Sequence, residues 1–389
     1  MNPLAPPASL RCQADLFPTP AIRGYLNGAS RAPQLKSVAA AARHALDWRE
    51  HNSSMPIDQF FGPVESVKQQ FSRLIGCREA QRIALIPAAS YGIATVAKNL
   101  PLSANQHIIV VEDQFPSNYY AWHKKCQLTG ATLRVISRPQ EGDKTSWNQK
   151  VLEAINPQTA AVAIANIHWA DGSLFDLAAI RQRTDDVGAW LVIDGTQSLG
   201  AMPFSVEEIR PDAIVAGGYK WLMGPYGCGY AYYGARMDEG EPLEENWINR
   251  AGSEDFRNLV NYREEYRPLA NRYSVGEHSN FIITPMQEAA LQQVNAWGLK
   301  NIQHYCAKLW EAVIPELMAL DIILPTERAH HLVGIRVPDS IATDKIPDAF
   351  AERGLTVSYR GDAIRVSPHV YNTVKELELM VEALKACRR

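Results

Sequence analysis

Two charged residues stand where apolar strands end. Asp194 closes the run Trp190-Leu-Val-Ile193, and Lys220 follows Ala213-Ile-Val-Ala-Gly-Gly-Tyr219. A carboxylate delivered by a buried strand needs a cationic partner. A lysine emerging from an apolar strand among glycines is a candidate for a depressed pKa, which suits Schiff-base chemistry. The alternative is a structural Asp194–Lys220 ion pair at a domain edge, since such pairs also perturb pKa values. The tail after the lysine, Gly224-Pro-Tyr-Gly-Cys-Gly229, matches neither a dinucleotide fingerprint nor a P-loop. Ser90, after Pro87-Ala-Ala89, reads either as a helix N-cap or as part of a phosphate cradle, because helix N-termini present free N–H groups. His168 is a core histidine or a catalyst. Arg365, in Ala363-Ile-Arg-Val366, reads by itself as a surface charge on a strand.

The elements that must position these residues alternate. Short, largely unalternated runs rich in Val and Ile cover 83–88, 107–112, 133–137, 160–167, 190–193 and 213–216, as expected for strands buried on both faces. Amphipathic stretches at 90–100, 117–128, 147–155 and 177–187 lie between them. That rhythm predicts a mostly parallel α/β sheet, whose ligands collect at the carboxyl ends of its strands. Beyond 255 the texture changes to a long helix over 285–307, short strands at 331–337, 355–358 and 363–366, and a final helix over 373–385. The expected organisation is an N-terminal segment 1–24 packed on a small domain, a large domain 25–255, and a small α+β domain 256–389.

At 389 residues the chain exceeds one ordinary core. Lys plus Arg total 39 against 42 acidic residues, a net charge of −3, so there is no basic field for nucleic-acid phosphates. The six cysteines contain no C-x-x-C pair, which excludes a zinc ribbon and a thioredoxin motif and suggests a reducing compartment. No run of eighteen apolar residues is present to span a bilayer, and no secretion signal is read. A cytoplasmic location without membrane or nucleic-acid partners is expected.

The string Asp194-Gly-Thr-Gln197, then Tyr219-Lys220 and Gly224-Pro-Tyr-Gly-Cys-Gly229, resembles the class V aminotransferases. These are fold-type I enzymes dependent on pyridoxal 5'-phosphate (PLP), and they include cysteine desulfurases, kynureninase and isopenicillin N epimerase-like proteins. The resemblance runs from Tyr25-Leu-Asn27 to Arg365-Val-Ser-Pro-His-Val-Tyr-Asn-Thr373. It implies a mostly parallel seven-stranded sheet, a smaller α+β C-terminal domain and a homodimer. Lys220 matches the lysine that joins the cofactor, Asp194 the partner of its protonated ring nitrogen, and Gln197 the group that bonds its phenolic oxygen. Ala89 and Ser90 match the phosphate-binding turn, with Tyr219 adding a hydroxyl, and Phe115 the residue that stacks on the ring. Asp171 aligns near the phenolic oxygen, and Ser279 with a phosphate donor from the second subunit. Arg365 matches the α-carboxylate grip, with Asn27 beside it, so an amino acid or keto acid is implied.

Desulfurases carry a nucleophilic cysteine shortly before that arginine. Here the interval 356–364 has none, which argues against persulfide chemistry. An aminotransferase is expected, with an epimerase or a carbon–sulfur or β-elimination lyase as the alternative, because the cofactor supplies the carbanion chemistry and the pocket chooses the bond. A non-catalytic binding protein on the same fold is the rival of another class.

Overall fold

The structure, a computed structural model, describes residues 10–140, 143–324 and 328–389. Its strands are apolar at successive positions, and successive side chains point to opposite faces, so both faces must be covered. Ile108 and Val110 join one cluster with Ala161, Val192 and Val215. Ile109 and Val111 join another with Val162, Leu191 and Ile214. The sheet between these clusters has seven strands in the order β1-β7-β6-β5-β4-β2-β3. In chain order they are β1 Ile83–Ile86, β2 His107–Val111, β3 Thr132–Ile136, β4 Thr159–Ala165, β5 Trp190–Asp194, β6 Ala213–Gly217 and β7 Gly229–Tyr233. The β2–β3, β2–β4, β4–β5 and β5–β6 pairs are parallel, and β7 runs antiparallel to β1 and β6.

Six of these strands fall on the expected runs, with ends moved by up to two residues; at β1, Pro87, which has no N–H to donate, follows the last strand residue. β7 was not foreseen. Its tyrosines follow the glycine-rich tail and look half-polar in sequence, yet Tyr230 and Tyr233 are fully buried. The helix Leu177–Val187 fits its expected span, capped by the Asp176 side chain and ended by left-handed Gly188.

The second core holds Trp310, Phe350, Val366, Leu377 and Met380 beside a three-stranded antiparallel sheet, β8-β10-β9. These are β8 Val333–Ile335, β9 Ser358–Arg360 and β10 Ala363–Val366. Two expectations change here. The single helix over 285–307 is two, Ile283–Trp297 and Leu299–Glu311, broken at Gly298 with φ 76°. The strand expected at 355–358 begins at Ser358, because Thr356 instead pairs with Tyr25 of the N-terminal segment. That segment is laced to the same region: Gln13 N–H donates to Val370 O, and Ser367 N–H to Leu26 O. Helices Lys36–His51 and Asp58–Leu74, also not foreseen, pack on Ile283–Trp297.

Candidate active site

The carboxyl ends of β1, β2, β5 and β6 meet around a cavity of about 210 Å3, lined by Ala89, Ser90, Phe115, Asp194, Tyr219 and Lys220, with Thr196, Gly217, Tyr226 and Cys228 completing the wall. This is the placement that open α/β sheets give their ligands. A smaller lobe of about 20 Å3 shares Phe115, Asp194, Thr196 and Lys220 and adds Trp169 and Gln197.

Lys220 leaves β6 through a turn held by Gly218 N–H to Cys228 O and Gly224 N–H to Gly218 O, each 2.8 Å. Its side chain is 6% exposed. Nζ lies 5.5 Å from the Phe115 ring centre and 5.6 Å from that of Tyr219. Among the described residues Nζ forms neither a hydrogen bond nor an ion pair, so the direct Asp194–Lys220 pair is not built. Burial lowers the Lys220 pKa to about 8; Asp194 opposes this, while Arg365 and Arg360 reinforce it. An amine of that pKa is a usable nucleophile and base near neutrality.

Asp194 is the last residue of β5. Its Oδ1 accepts from Thr196 N–H at 3.0 Å, and Oδ2 has no partner among the described residues. Gln197 is oriented by chemistry: the Trp221 indole can only donate, and it reaches Gln197 Oε1 at 2.9 Å. Nε2 donates to Ala29 O at 3.1 Å, which leaves one amide N–H for a ligand.

The helix after β1 spans Ala89–Asn99, with Ala88 as N-cap and no capping side chain. Ser90 is therefore inside the first turn, not the cap. The Ala89 and Ser90 N–H groups stay unpaired in the helix, with its positive dipole end facing the cavity. Opposite them, a Cβ added at Gly217 would come 3.1 Å from the Tyr219 ring. The absence of a side chain at 217 thus lets Tyr219 lie in the wall. Thr196 Oγ1 accepts from Gly217 N–H at 3.3 Å, and its own proton is free to donate.

Arg365 is 2% exposed and held by neutral acceptors: Ser358 Oγ at 3.0 Å, Trp169 O at 2.8 Å and Ser30 Oγ at 2.8 Å. Ser30 in turn donates to Asn27 Oδ1 at 2.8 Å. Asn27 and Arg365 are therefore brought together through a serine that the sequence reading passed over. Burial lowers the Arg365 pKa to about 10, and nearby Arg360 adds to this.

Two expected residues lie elsewhere. Asp171 lines neither lobe, and its carboxylate is spent on Arg138, on Ser173 N–H at 3.1 Å and on His168 at 3.3 Å. The position beside Gln197 in the smaller lobe belongs to Trp169, whose ring meets Phe115 edge-on at 5.4 Å and whose indole donates to Asp113 O at 2.7 Å. The candidates lie two positions apart, and loop residues have no periodicity to choose between them. His168 is fully buried in the same network, so the core-histidine alternative describes it. Ser279 lines a separate cavity with His44, Trp48 and Phe281, apart from the Lys220 cavity of its own chain. Thr196 and Tyr226 were in motifs already quoted but were not singled out.

The pocket fits PLP by three features of this chain: an uncapped helix N-terminus for a phosphate, an unpartnered carboxylate oxygen for a ring cation, and a free buried amine. A family model described as "Aminotransferase class-V" matches residues 25–380. Among curated proteins, the chain is 23% identical over 95% of its length and 96% of the relative to an uncharacterized aminotransferase, YcbU, of Bacillus subtilis (strain 168). It is 24% identical to isopenicillin N epimerase of Streptomyces clavuligerus, covering 93% and 94%. A cysteine desulfurase of Enterobacter sp. (strain 638) is 25% identical, covering 83% and 82%. Among solved structures, the cystine C-S lyase C-DES in complex with its reaction product cysteine persulfide aligns with TM-score 0.83 at 17% identity, over 96% of this chain and all of that one. A C-DES mutant with glycine covalently linked to the PLP cofactor aligns with TM-score 0.81 at 17% identity, covering 96% and 99%.

Proposed function

The chain belongs to the class-V aminotransferase family, fold-type I enzymes whose cofactor is pyridoxal 5'-phosphate, and from that premise we propose that it is an aminotransferase for an α-amino acid and its keto acid. Bound PLP supplies an electrophilic aldehyde and, while its ring nitrogen is protonated, an electron sink for charge at the substrate's Cα. Every other requirement falls to residues of this chain. Asp194 Oδ2 favours the proton on the ring nitrogen. The spare Gln197 N–H donates to the phenolic oxygen, and the Ala89 and Ser90 N–H groups with the Tyr219 hydroxyl hold the phosphate. Phe115 packs on the ring. Arg365 grips the α-carboxylate, with Ser30 and Asn27 setting its angle, and Lys220 would take the proton from Cα and give it to the cofactor carbon that bore the aldehyde, so that the nitrogen stays with the cofactor.

One observation carries transamination over epimerisation. Among the described residues lining the two lobes, Lys220 is the base whose pKa lies near neutrality. The Tyr219 phenol is pushed up by burial, and the Cys228 thiol is raised to about 12 by burial. A single base on one face suits moving a proton between two sites on that face; inversion by two bases needs a second group opposite. The hairpin β9–β10 turns through Gly361 and Asp362 alone, leaving no loop to carry a cysteine inward, so a desulfurase role lacks its nucleophile.

The enzyme works as a cytoplasmic homodimer in this proposal, with Ser279 serving the neighbouring subunit's phosphate site. Among the described residues no helix is long and apolar enough to cross a membrane. The test is a single-turnover screen of amino acids against the yellow holoenzyme. Transamination releases one keto acid per site with the nitrogen kept on the enzyme. Pyruvate with ammonia, or a racemised substrate without keto acid, would overturn it.

A further inference from the structure

In the antiparallel pair β9–β10, Arg365 lies opposite Ser358 and Ala363 opposite Arg360. Side chains two apart on a strand share a face, so Arg360 and Arg365 are diagonal neighbours on one face of the hairpin, a separation of roughly 7–8 Å between backbones. Both guanidiniums converge on the Trp169 ring, with Cζ at 5.5 Å for Arg360 and 6.0 Å for Arg365. Trp169 lines the lobe that holds Lys220 and Gln197.

Like charges at that separation repel, and the cost is greatest for the buried Arg365, with Arg360 half-buried beside it. Acids are at hand, but they go elsewhere: Asp362 in the turn and Asp171 below it both pair with Arg336. Among the described residues neither Arg360 nor Arg365 has a carboxylate partner. Arg365 uses three of its five N–H donors on neutral oxygens. Arg360 Nη1 reaches only the carbonyl of Tyr359 at 2.7 Å, and its Nε is buried without a partner.

We infer that the substrate carries two carboxylates, Arg365 taking the one at Cα and Arg360 the one on the side chain, so that the substrate class is a dicarboxylic α-amino acid or its keto acid. This rests on the reading of the site as one for amino acids. With a neutral side chain the α-carboxylate would meet Arg365 and leave Arg360 facing it without a countercharge, whereas a second carboxylate meets Arg360 and its buried Nε. Arg360 ends β9, and its charge is the smallest of the influences on Lys220, so it acts chiefly on which substrate binds.

The experiment measures competition by succinate and by butyrate, four-carbon acids with two and one carboxylates, for the amino-acid site of the holoenzyme. It is repeated with Arg360→Met, which keeps the stem over Trp169, and Arg360→Lys, which keeps the charge. A charged hydrogen bond supports a preference for succinate of at least about tenfold in the parent protein. Arg360→Met should erase most of that preference through loss of succinate binding, and Arg360→Lys should restore part of it. In turnover, Arg360→Met should raise KM for glutamate far more than kcat falls. Equal binding of the two acids by the parent protein overturns the inference, as does a preference that survives Arg360→Met. A parent enzyme that transaminates norvaline as well as glutamate overturns it while leaving the reaction standing. If no keto acid forms but succinate is still selected through Arg360, the reaction assignment fails and the dicarboxylate site stands.

Discussion

At Lys220 neighbours of opposite sign compete. Burial, Arg365 and Arg360 favour the neutral amine, and Asp194 favours the ammonium. Only the neutral amine attacks an acylating reagent, so labelling of Lys220 in cofactor-free protein should rise with pH around a midpoint near 8, read by peptide mass spectrometry. Asp194→Asn removes the group that holds the proton and should move the midpoint down; Arg365→Gln removes a repelling charge and should move it up. Coincident midpoints would refute this electrostatic reading. The same depression has a sign in stability. Unfolded chains keep this proton to higher pH, so cofactor-free protein should gain stability as pH climbs from about 8 toward the ordinary lysine value. Cys228 offers a second check at this scale. It is the thiol lining the cavity among the described residues, its Sγ donates to Pro225 O at 3.1 Å, and burial holds its pKa near 12. A thiol kept protonated is a poor nucleophile. Mass spectrometry after incubation with cysteine should find no added sulfur at Cys228.

The elements position these groups through close approach, and the helix Ala89–Asn99 shows how narrow the tolerance is. Intrinsic propensity favours Ala over Gly inside a helix by about 1 kcal/mol. At Gly92, however, a Cβ would lie 2.6 Å from Val215 Cγ1 on β6 and 3.0 Å from Ile86 Cδ1 on β1. Overpacking of that kind costs about 1–3 kcal/mol, so Gly92→Ala should lower Tm rather than raise it. Because the helix must back away from the sheet, the Ala89 and Ser90 N–H groups should retreat too, and a PLP titration should show weaker binding. A raised Tm would mean that this contact does not hold the helix. The strands were legible because burial on both faces leaves uninterrupted Val and Ile runs; β7 escaped because tyrosines serve there as core. Asp194 and Lys220 were legible as charges at the ends of such runs. Trp169 and Ser30 were not, since loops carry no period, and Arg360 acquires meaning only from the β9–β10 register, which sequence does not display. Asp171 was drawn into the site by its alignment with the class V pattern, although its carboxylate is engaged by Arg138, Ser173 and His168.

Across the whole molecule, that engagement of Asp171 joins the two sheets. Burial works to raise its carboxyl pKa, but His168, Arg138 and the Ser173 N–H overcome burial and hold it well below the usual carboxylate range. Its side chain pairs with Arg138, which follows β3, and with Arg336, which follows β8. Its carbonyl accepts from Gly334 N–H on β8 at 2.8 Å. The loop after β4 is thereby pinned to the small sheet, and Arg365 on that sheet reaches back to the Trp169 carbonyl of the same loop. Substrate grip and cofactor cavity are thus aligned by one buried carboxylate that touches neither. Asp171→Asn strands Arg138 with no countercharge; removing one partner of a buried pair costs about 3 kcal/mol, which chemical denaturation would register. A depressed carboxyl contributes stability that is present above its unfolded pKa and lost as pH falls below it. The parent protein should therefore weaken below about pH 4 more steeply than Asp171→Asn, whose acid limb should be flatter. With the alignment loosened, KM for the amino acid should rise severalfold while the visible spectrum of the substrate-free holoenzyme holds, because Lys220, Asp194 and the helix N-terminus all belong to the other sheet. A spectrum that shifted as much as KM would place Asp171 at the cofactor after all.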